Sequence, residues 1–401
     1  MLTPAEAEQL IAQHLSCLPI ESLPVGYSAG SILRENVYAE RDQPPSDRVT
    51  MDGIAVATSG LRGGRTRLRI QATQAAGDPP LTLQNPEHCI EIMTGAALPA
   101  DCDAVIPVER IQIEGGYAQL DAGLAVEPLQ NVHRRGSDQR QGALLLQAGM
   151  RLEAPDIAVA AGAGMARVRV SQQPAVMVIS TGNELVEPGE PIEQWQIRRS
   201  NAYAIAAALR RRGFQRVADD HIVDDMAVLQ ERIRQHLDSY EVLILSGGVS
   251  MGKFDLVPGA LAACGVTQVF HKIAQRPGKP MWFGSAPGGG AVFALPGRPV
   301  SALVCLVRYV IPALYAAMGA NPGADRGDKI ALSAPLAFNA PLAGFVPVRV
   351  ETDDWGRPWA VVSPHNGSDD FAALAGTDGF VELPPGPNTY PKGFVTRLYR
   401  W

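Results

Sequence analysis

Cysteine is scarce in this sequence and carries no pattern. Five residues, Cys17, Cys89, Cys102, Cys264 and Cys305, are spread over 401 positions without a C-x-x-C spacing, and their odd number excludes a complete internal disulfide framework. Reduced thiols, and with them a cytoplasmic protein, are expected. The seven histidines show no H-x-x-x-H or His/Cys grouping, which argues against a structural zinc site. An excess of positive charge is also missing. The formal net charge is −6, a field that repels phosphate backbones and acidic headgroups, so neither nucleic acid nor an anionic membrane is an expected partner. An anionic ligand therefore needs locally clustered cations or a metal.

The N-terminal "MLTPAEAEQLIAQHLSC" lacks a basic n-region followed by an apolar h-region, so no export signal is expected there. It reads as an amphipathic helix beginning near Thr3 and Pro4. The most apolar run, "PVSALVCLVRYVIPALYAAM" from Pro299, holds Arg308 near its middle, which costs about 2.5–3.5 kcal/mol at a bilayer centre. The spacing predicts a core helix kinked or interrupted at Pro312.

What is present is an ordinary globular composition, 46% hydrophobic and 19% charged, in a chain long enough for two to four domains. Residues 1 to about 42 read as helical and then extended, ending in a proline pair. From Arg65 to Val126 the texture becomes short alternating segments, "RTRLRIQAT", "CIEIMTG", "AVIPVERIQI" and "YAQL", which predict a small β-rich domain. "QGALLLQAGMRLEAPDIAVAAGAG" then reads as an apolar helix-like run ending in glycines. Beyond Ala320, rising glycine, proline and β-branched content predicts a terminal β domain.

Between Pro174 and Gly319 strands and helices alternate. The strands are "AVMVIST", "RVADDHIV", "EVLILS", "TQVFHKIA" and "AVFAL"; the helices are "NAYAIAAALRRRG", "DMAVLQERIRQHLDSY", "LVPGALAACG" and the run after Pro299. The first and third strands are apolar almost throughout, as parallel strands covered on both faces must be. A doubly wound α/β domain is expected.

In such a sheet ligands bind beyond the carboxyl ends of the strands. The exits carry Thr181, Gly182, Asn183 and Glu184; Asp224 with Asp225; Ser246, Gly247, Gly248 and Ser250 running to Asp255; Lys272, Arg276 and Lys279; and Gly297, Arg298 and Ser301. Glycines admit backbone N–H groups close to an anion and serines add donors. Glu184, Asp224 and Asp255 are candidate ligands of a Mg²⁺, which takes carboxylate oxygens and bridges to phosphate. Each feature also has a plain reading. Asp224 or Asp225 before "MAVLQERI", and Ser200 and Asn201 before "AYAIAAAL", fit helix N-caps; glycines after a strand mark tight turns; and "GGVSMG" matches neither the Walker loop nor the dinucleotide fingerprint.

Taken in order over nearly the whole length, "LRENVYAERDQPP", "MDGIAV", "IMTGAALPADCDAVIPVE", "NVHRRGSDQRQGALLLQAG", "ISTGNELVEPG", "SNAYAIAAAL", "SGGVSMGKFD", "RPGKP" and "LPGRPVSALV" make the chain resemble the molybdopterin molybdenumtransferase family, MoeA, which includes the gephyrin E domain. The resemblance implies a multidomain α/β plus β fold. Its parts would be a discontinuous helical dimerisation domain (1–42 and 130–173), an inserted β-rich domain (43–129), the molybdopterin-binding α/β domain (174–320) and a C-terminal β-barrel domain (321–401). It further implies a homodimer with a cleft shared between subunits, and Mg²⁺-assisted hydrolysis of adenylylated molybdopterin while molybdenum from molybdate is left on the dithiolene sulfurs. An adenylyltransferase and molybdoenzyme chaperones are the implied partners.

Carried onto this chain, the metal and catalytic carboxylates are Glu184, Asp224 and Asp255. Phosphate and pterin contacts fall to Ser246, Gly247, Gly248, Ser250, Lys272, Arg276, Lys279 and the loop Pro296, Gly297, Arg298, Pro299. Asp52, Thr94 and Asp138 match positions in or beside the cleft, and Arg349 one in the final domain. The chain departs from the family's usual pattern at Val49, Ile54, Asn183, Arg276 and Arg298. Those departures leave a second expectation open, a divergent paralogue that binds molybdopterin or acts as a scaffold without transferase activity.

Overall fold

A computed structural model of the chain describes residues 1–249, 255–321, 328–338, 341–364 and 366–401. The chain forms two compact units, one of Met1–Glu35, Ala148–Glu153 and Arg167–Trp401, the other of Asn36–Gln147 and Ala154–Ala166. The architecture is multidomain α/β plus β.

In the second unit a six-stranded sheet has the order Ala104–Pro107, Gly53–Val56, His88–Ile92, Arg67–Gln74, Tyr117–Leu120 and Ile111–Glu114. Alternation places Ile54, Val56 and Ile106 in one apolar cluster and Ala55, Ile90 and Val105 in another, as period-2 strands require. Gly53 is demanded by its surroundings, because a Cβ there would lie 1.9 Å from the carbonyl oxygen of Ile106. The segment read as a helix-like run divides into a short strand, Leu144–Leu146, and a helix, Ala154–Gly162.

The N-terminus of the first unit is helical over Pro4–Gln13, where Thr3 and Glu6 form a reciprocal capping box. Residues 14–35 continue through the strand Ile20–Pro24, paired antiparallel with Arg167–Ser171. The α/β domain follows with β1 (Val176–Thr181), α1 (Asn201–Arg211), β2 (Val217–Ile222), α2 (Met226–Leu237), β3 (Val242–Ser246), α3 (Val257–Ala263), β4 (Thr267–His271), β5 (Trp282–Ser285) and β6 (Ala291–Leu295). Sheet order is β2-β1-β3-β6-β5-β4. Val176, Val178 and Ile244 bury on one face with Ile205 and Leu209 of α1, while Met177, Ile179, Leu243 and Leu245 bury on the other with Leu229 and Ile233 of α2. The unbroken apolar runs Val176–Ile179 of β1 and Val242–Leu245 of β3 follow from that double coverage.

One strand was not expected. β5 runs antiparallel to both β6 and β4, so the sheet is mixed; because two reversals restore direction, the carboxyl end of β4 still lies on the same edge as those of β1, β2, β3 and β6.

After β6 the helical run Pro299–Ala317 is buried within the domain. Its middle, Leu306–Val310, is a π-turn, and the last α-helical piece, Ile311–Ala317, has Pro312 in its first turn; a π-turn widens the ladder and so breaks the helix just ahead of the proline. Arg308 within it is buried and paired with Glu8 at 2.9 Å and Glu382 at 3.1 Å. This is a core helix. The C-terminal strands Asp328–Leu332, Ala343–Thr352, Pro358–Val362, Gly379–Leu383 and Val395–Arg400 pair in a closed five-membered ring around Leu332, Val348, Val381 and Leu398.

Candidate functional site

The carboxyl edge of the α/β sheet opens into a cavity of about 1420 Å³. Single small-ligand pockets occupy about 300–1,000 Å³, so this one has room for a larger molecule. Glu184 reaches it from the exit of β1, Asp224 from β2, Ser246, Gly247, Gly248 and Asp255 from β3, and Arg298 and Ser301 from β6. Arg276 and Lys279 enter by the loop after β4, fixed because Gln275–Arg276 pairs parallel with Ala343–Gly344 of the barrel. Thr181, Gly182, Pro296, Gly297 and Pro299 complete that edge.

The glycines are used as bare backbone. Gly247 has φ 105° and Gly248 φ 65°; a Cβ on Gly247 would meet the Thr181 carbonyl at 2.8 Å, and one on Gly248 the Val257 side chain at 2.7 Å. Beside them the Thr181 hydroxyl is buried without a hydrogen-bond partner among the described residues. A buried polar atom left unpaired in a cavity marks a place for a ligand atom.

The two aspartates after β2 separate by role. Asp225 caps α2, its Oδ1 accepting from the N–H groups of Ala227 and Val228 at 2.9 and 3.0 Å. Asp224 is thereby left to the cavity, and Asn183 Oδ1 accepts from its backbone N–H at 3.0 Å. Burial, and then the negative charge of Glu184, with a smaller contribution from Asp255, raises the Asp224 carboxyl above its ordinary value. Like charges gathered in one cavity favour a divalent cation in charge. Among the described residues no three carboxylate, imidazole or thiolate groups stand close enough to hold an ion alone. Mg²⁺ keeps several waters and takes only one or two carboxylates alongside substrate phosphate, so this donor set fits that ion and not a closed protein cage.

The expected cap at Ser200 is not formed. Ser200 has helical dihedrals and its side chain caps nothing, since capping needs an extended residue. Asn201 instead donates through Nδ2 to Ser246 Oγ and the Gly297 carbonyl, both at 2.8 Å, tying the exits of β3 and β6 together. Arg199 was not foreseen at all. It is buried, donating to Ser180 Oγ at 3.2 Å, Glu187 and Asp219 at 2.5 Å, and the Asp220 carbonyl at 3.0 Å. Burial opposes its charge, and the bonds to Glu187 and Asp219 more than offset that. It clamps the flap formed by Leu185–Val186 and Ile197–Arg198, which Glu184 leads into.

Other expected site residues lie elsewhere. Lys272 follows β4 in a left-handed conformation, φ 80°, with its N–H on the Met281 carbonyl at 2.8 Å, and is not part of the cavity lining. Arg349 stands on the exposed side of a barrel strand, 3.8 Å from Glu351. Asp52 and Thr94 belong to the second unit and bind one another: Asp52 Oδ1 accepts from the Thr94 N–H at 2.6 Å and hydroxyl at 2.7 Å, which lowers the Asp52 carboxyl below its usual range. Asp138, in the same unit, pairs with His133 at 2.7 Å. Ser250 lies outside the described residues. The barrel contributes a wall the sequence did not announce, with Leu336, Phe338, Leu342 and Val362 apolar and Ser368 and Asp369 polar.

Three regions of the chain match known families in order: the MoeA N-terminal region (domain I and II) over residues 2–164, a probable molybdopterin binding domain over 177–316, and the MoeA C-terminal region (domain IV) over 329–397. The molybdopterin molybdenumtransferase of Synechocystis sp. is 37% identical over 408 residues, covering 100% of both chains. Molybdopterin molybdenumtransferase 2 of Mycobacterium tuberculosis is 32% identical over 325 residues, 78% of this chain and 79% of that one. A solved molybdopterin biosynthesis MoeA protein from Pyrococcus horikosii superposes with a TM-score of 0.83 at 29% identity, covering 100% of this chain and 99% of that one.

Proposed function

The chain belongs to the MoeA family, and from that premise we propose that it is a molybdopterin molybdenumtransferase of molybdenum cofactor biosynthesis, taking molybdate and adenylylated molybdopterin and releasing AMP. The observation that carries this reading is the grouping of Glu184, Asp224 and Asp255 with Arg276, Lys279 and Arg298 on the lining of one cavity larger than a single small ligand needs. Acids and cations on one edge suit a metal–pyrophosphate group better than either charge alone.

In this reading Arg276 and Lys279 hold the non-bridging oxygens of the pyrophosphate, where fixed cations stabilise charge developing at phosphorus. Gly247 and Gly248 let the backbone approach the phosphate, and the Thr181 hydroxyl supplies a further donor. One or two of Glu184, Asp224 and Asp255 would hold Mg²⁺ alongside the substrate phosphate, and the ion would there neutralise pyrophosphate charge. The soft sulfur ligands for molybdenum come from the substrate, so no cysteine cluster is required of the chain. Asn183 and Arg298, which depart from the usual family residues, contact the Asp224 backbone and Ser368; the retained Glu184, Asp224, Asp255 and Lys279 on the cavity lining favour an active enzyme over a scaffold. The homodimer, the cytoplasmic location and delivery of substrate by an adenylyltransferase belong to the same proposal.

The test supplies purified protein with adenylylated molybdopterin, molybdate and Mg²⁺ and follows AMP. Release that requires both molybdate and Mg²⁺ is expected. Tight molybdopterin binding with no AMP released selects the scaffold reading instead.

A further inference from the structure

Five cations line the cavity, Arg198, Arg199, Arg276, Lys279 and Arg298, and they differ in how firmly they are held. Arg198 donates to the carbonyls of Glu187 and Glu190 at 2.7 Å, and Arg199 is buried between Glu187 and Asp219. Arg276 and Lys279 have no carboxylate partner among the described residues. Arg298 is intermediate: its Nε lies 3.4 Å from Asp369 Oδ1, and its Nη1 donates to Ser368 Oγ at 3.2 Å.

We infer that Asp369 is a resident counter-ion of this cavity, occupying Arg298 until an anionic group of the substrate displaces it. The contact is single and long, not the bidentate fork in which guanidinium binds oxyanions most strongly. Both side chains are mostly exposed, 66% for Arg298 and 71% for Asp369, so water screens the pair and breaking it costs little. A phosphate that grips Arg298 with two oxygens is the better acceptor. Asp369 nevertheless stays at hand whether or not it is paired, because its loop is anchored by backbone: the Val300 N–H donates to the Ser368 carbonyl at 3.2 Å. Asp369 therefore competes intramolecularly for Arg298, and an anion unable to make the two-oxygen contact leaves the pair in place. This makes Asp369 a specificity-determining residue for anions at the β6 exit. The identity of the natural anion, a phosphate of the adenylylated substrate, rests on the transferase reading; the competition does not.

The experiment is a double-mutant cycle on the full chain, with AMP binding followed by calorimetry and folding checked by circular dichroism. Removing the competitor in Asp369→Asn tightens AMP binding about two- to fivefold, the range set by an exposed ion pair. Arg298→Ala weakens it, and adding Asp369→Asn to Arg298→Ala then changes nothing. An unchanged affinity in Asp369→Asn, equal tightening in both backgrounds, or no AMP binding by any variant overturns the inference. AMP release by the unmutated protein is measured separately. Absent turnover with an intact cycle refutes the transferase reading alone, and normal turnover with a flat cycle refutes the competition alone.

Discussion

Replacing Arg199 with methionine keeps most of the side-chain volume and removes the charge that joins three segments of the α/β domain. In the folded chain the guanidinium bonds Glu187 in the flap, Asp219 in β2 and Ser180 in β1. Without it, Asp219 loses its guanidinium partner and Glu187 keeps only the Tyr203 hydroxyl, at 2.8 Å. Stranding the partners of a fully buried pair costs about 3–5 kcal/mol. Here each carboxylate keeps about 40% exposure and can rehydrate, which reduces the expected loss to about 2–3 kcal/mol. Arg199→Lys restores only part of it, since a single ammonium cannot fork between two carboxylates.

Three measurements read this. Urea unfolding gives the stability loss. Chymotrypsin cleavage at the exposed Trp195 of the flap accelerates if Arg199 is the clamp. The pH dependence has a definite sign: hydrogen bonds from Arg199 and Tyr203 hold the Glu187 carboxyl below its ordinary range, so the difference between parent and variant is full above that range and shrinks as pH falls through the lowered value. A variant with unchanged urea midpoint and unchanged cleavage, or a difference that grows in acid, refutes the clamp.

Asp224→Asn removes like charge from the cavity, so the metal-free variant should be about 0.5–1 kcal/mol more stable than the parent after screening. Mg²⁺ at about ten times its dissociation constant should stabilise the parent by about 1.4 kcal/mol and the variant much less; equal responses contradict the metal assignment. Asn201→Ala should cost about 1–2 kcal/mol through two lost hydrogen bonds and raise the KM for substrate, checked by unfolding and AMP release. Gly247→Ala, at φ 105° and against the Thr181 carbonyl, should cost about 1–3 kcal/mol and weaken AMP binding in calorimetry.

Much of this site was legible because β1 and β3 bury both faces, so their apolar runs announce parallel strands and direct attention to the residues at their carboxyl ends. Glu184, Ser246 and Asp255 follow from those two strands, and Asp224, Arg276 and Lys279 from reading the exits of β2 and β4 in the same way; all six line the cavity. That reading failed where tertiary contacts decide. β5 is short and holds Gly284, a residue strands disfavour, and only its pairing with β4 and β6 makes it a strand; a Cβ at Gly284 would lie 2.4 Å from the Trp282 ring. Lys272 looked equivalent to Arg276 and Lys279, yet the left-handed turn after β4 separates them. Arg199 and Asn201 sit in "RRSN", where local rules read a helix cap and where the partners, Asp219, Ser246 and Gly297, lie 20 to 96 positions away. Asp369 is invisible for the same reason: nothing near it in sequence indicates that the barrel loop closes over Arg298.

Asp255→Asn tests the account where it is most exposed. The variant keeps the shape of the side chain and removes like charge beside Asp224, so its circular dichroism should match the parent and its unfolding midpoint should not fall below it, while molybdate-dependent AMP release from adenylylated molybdopterin should vanish. Full turnover by a correctly folded Asp255→Asn protein would contradict the assignment of the strand-exit carboxylates to the reaction.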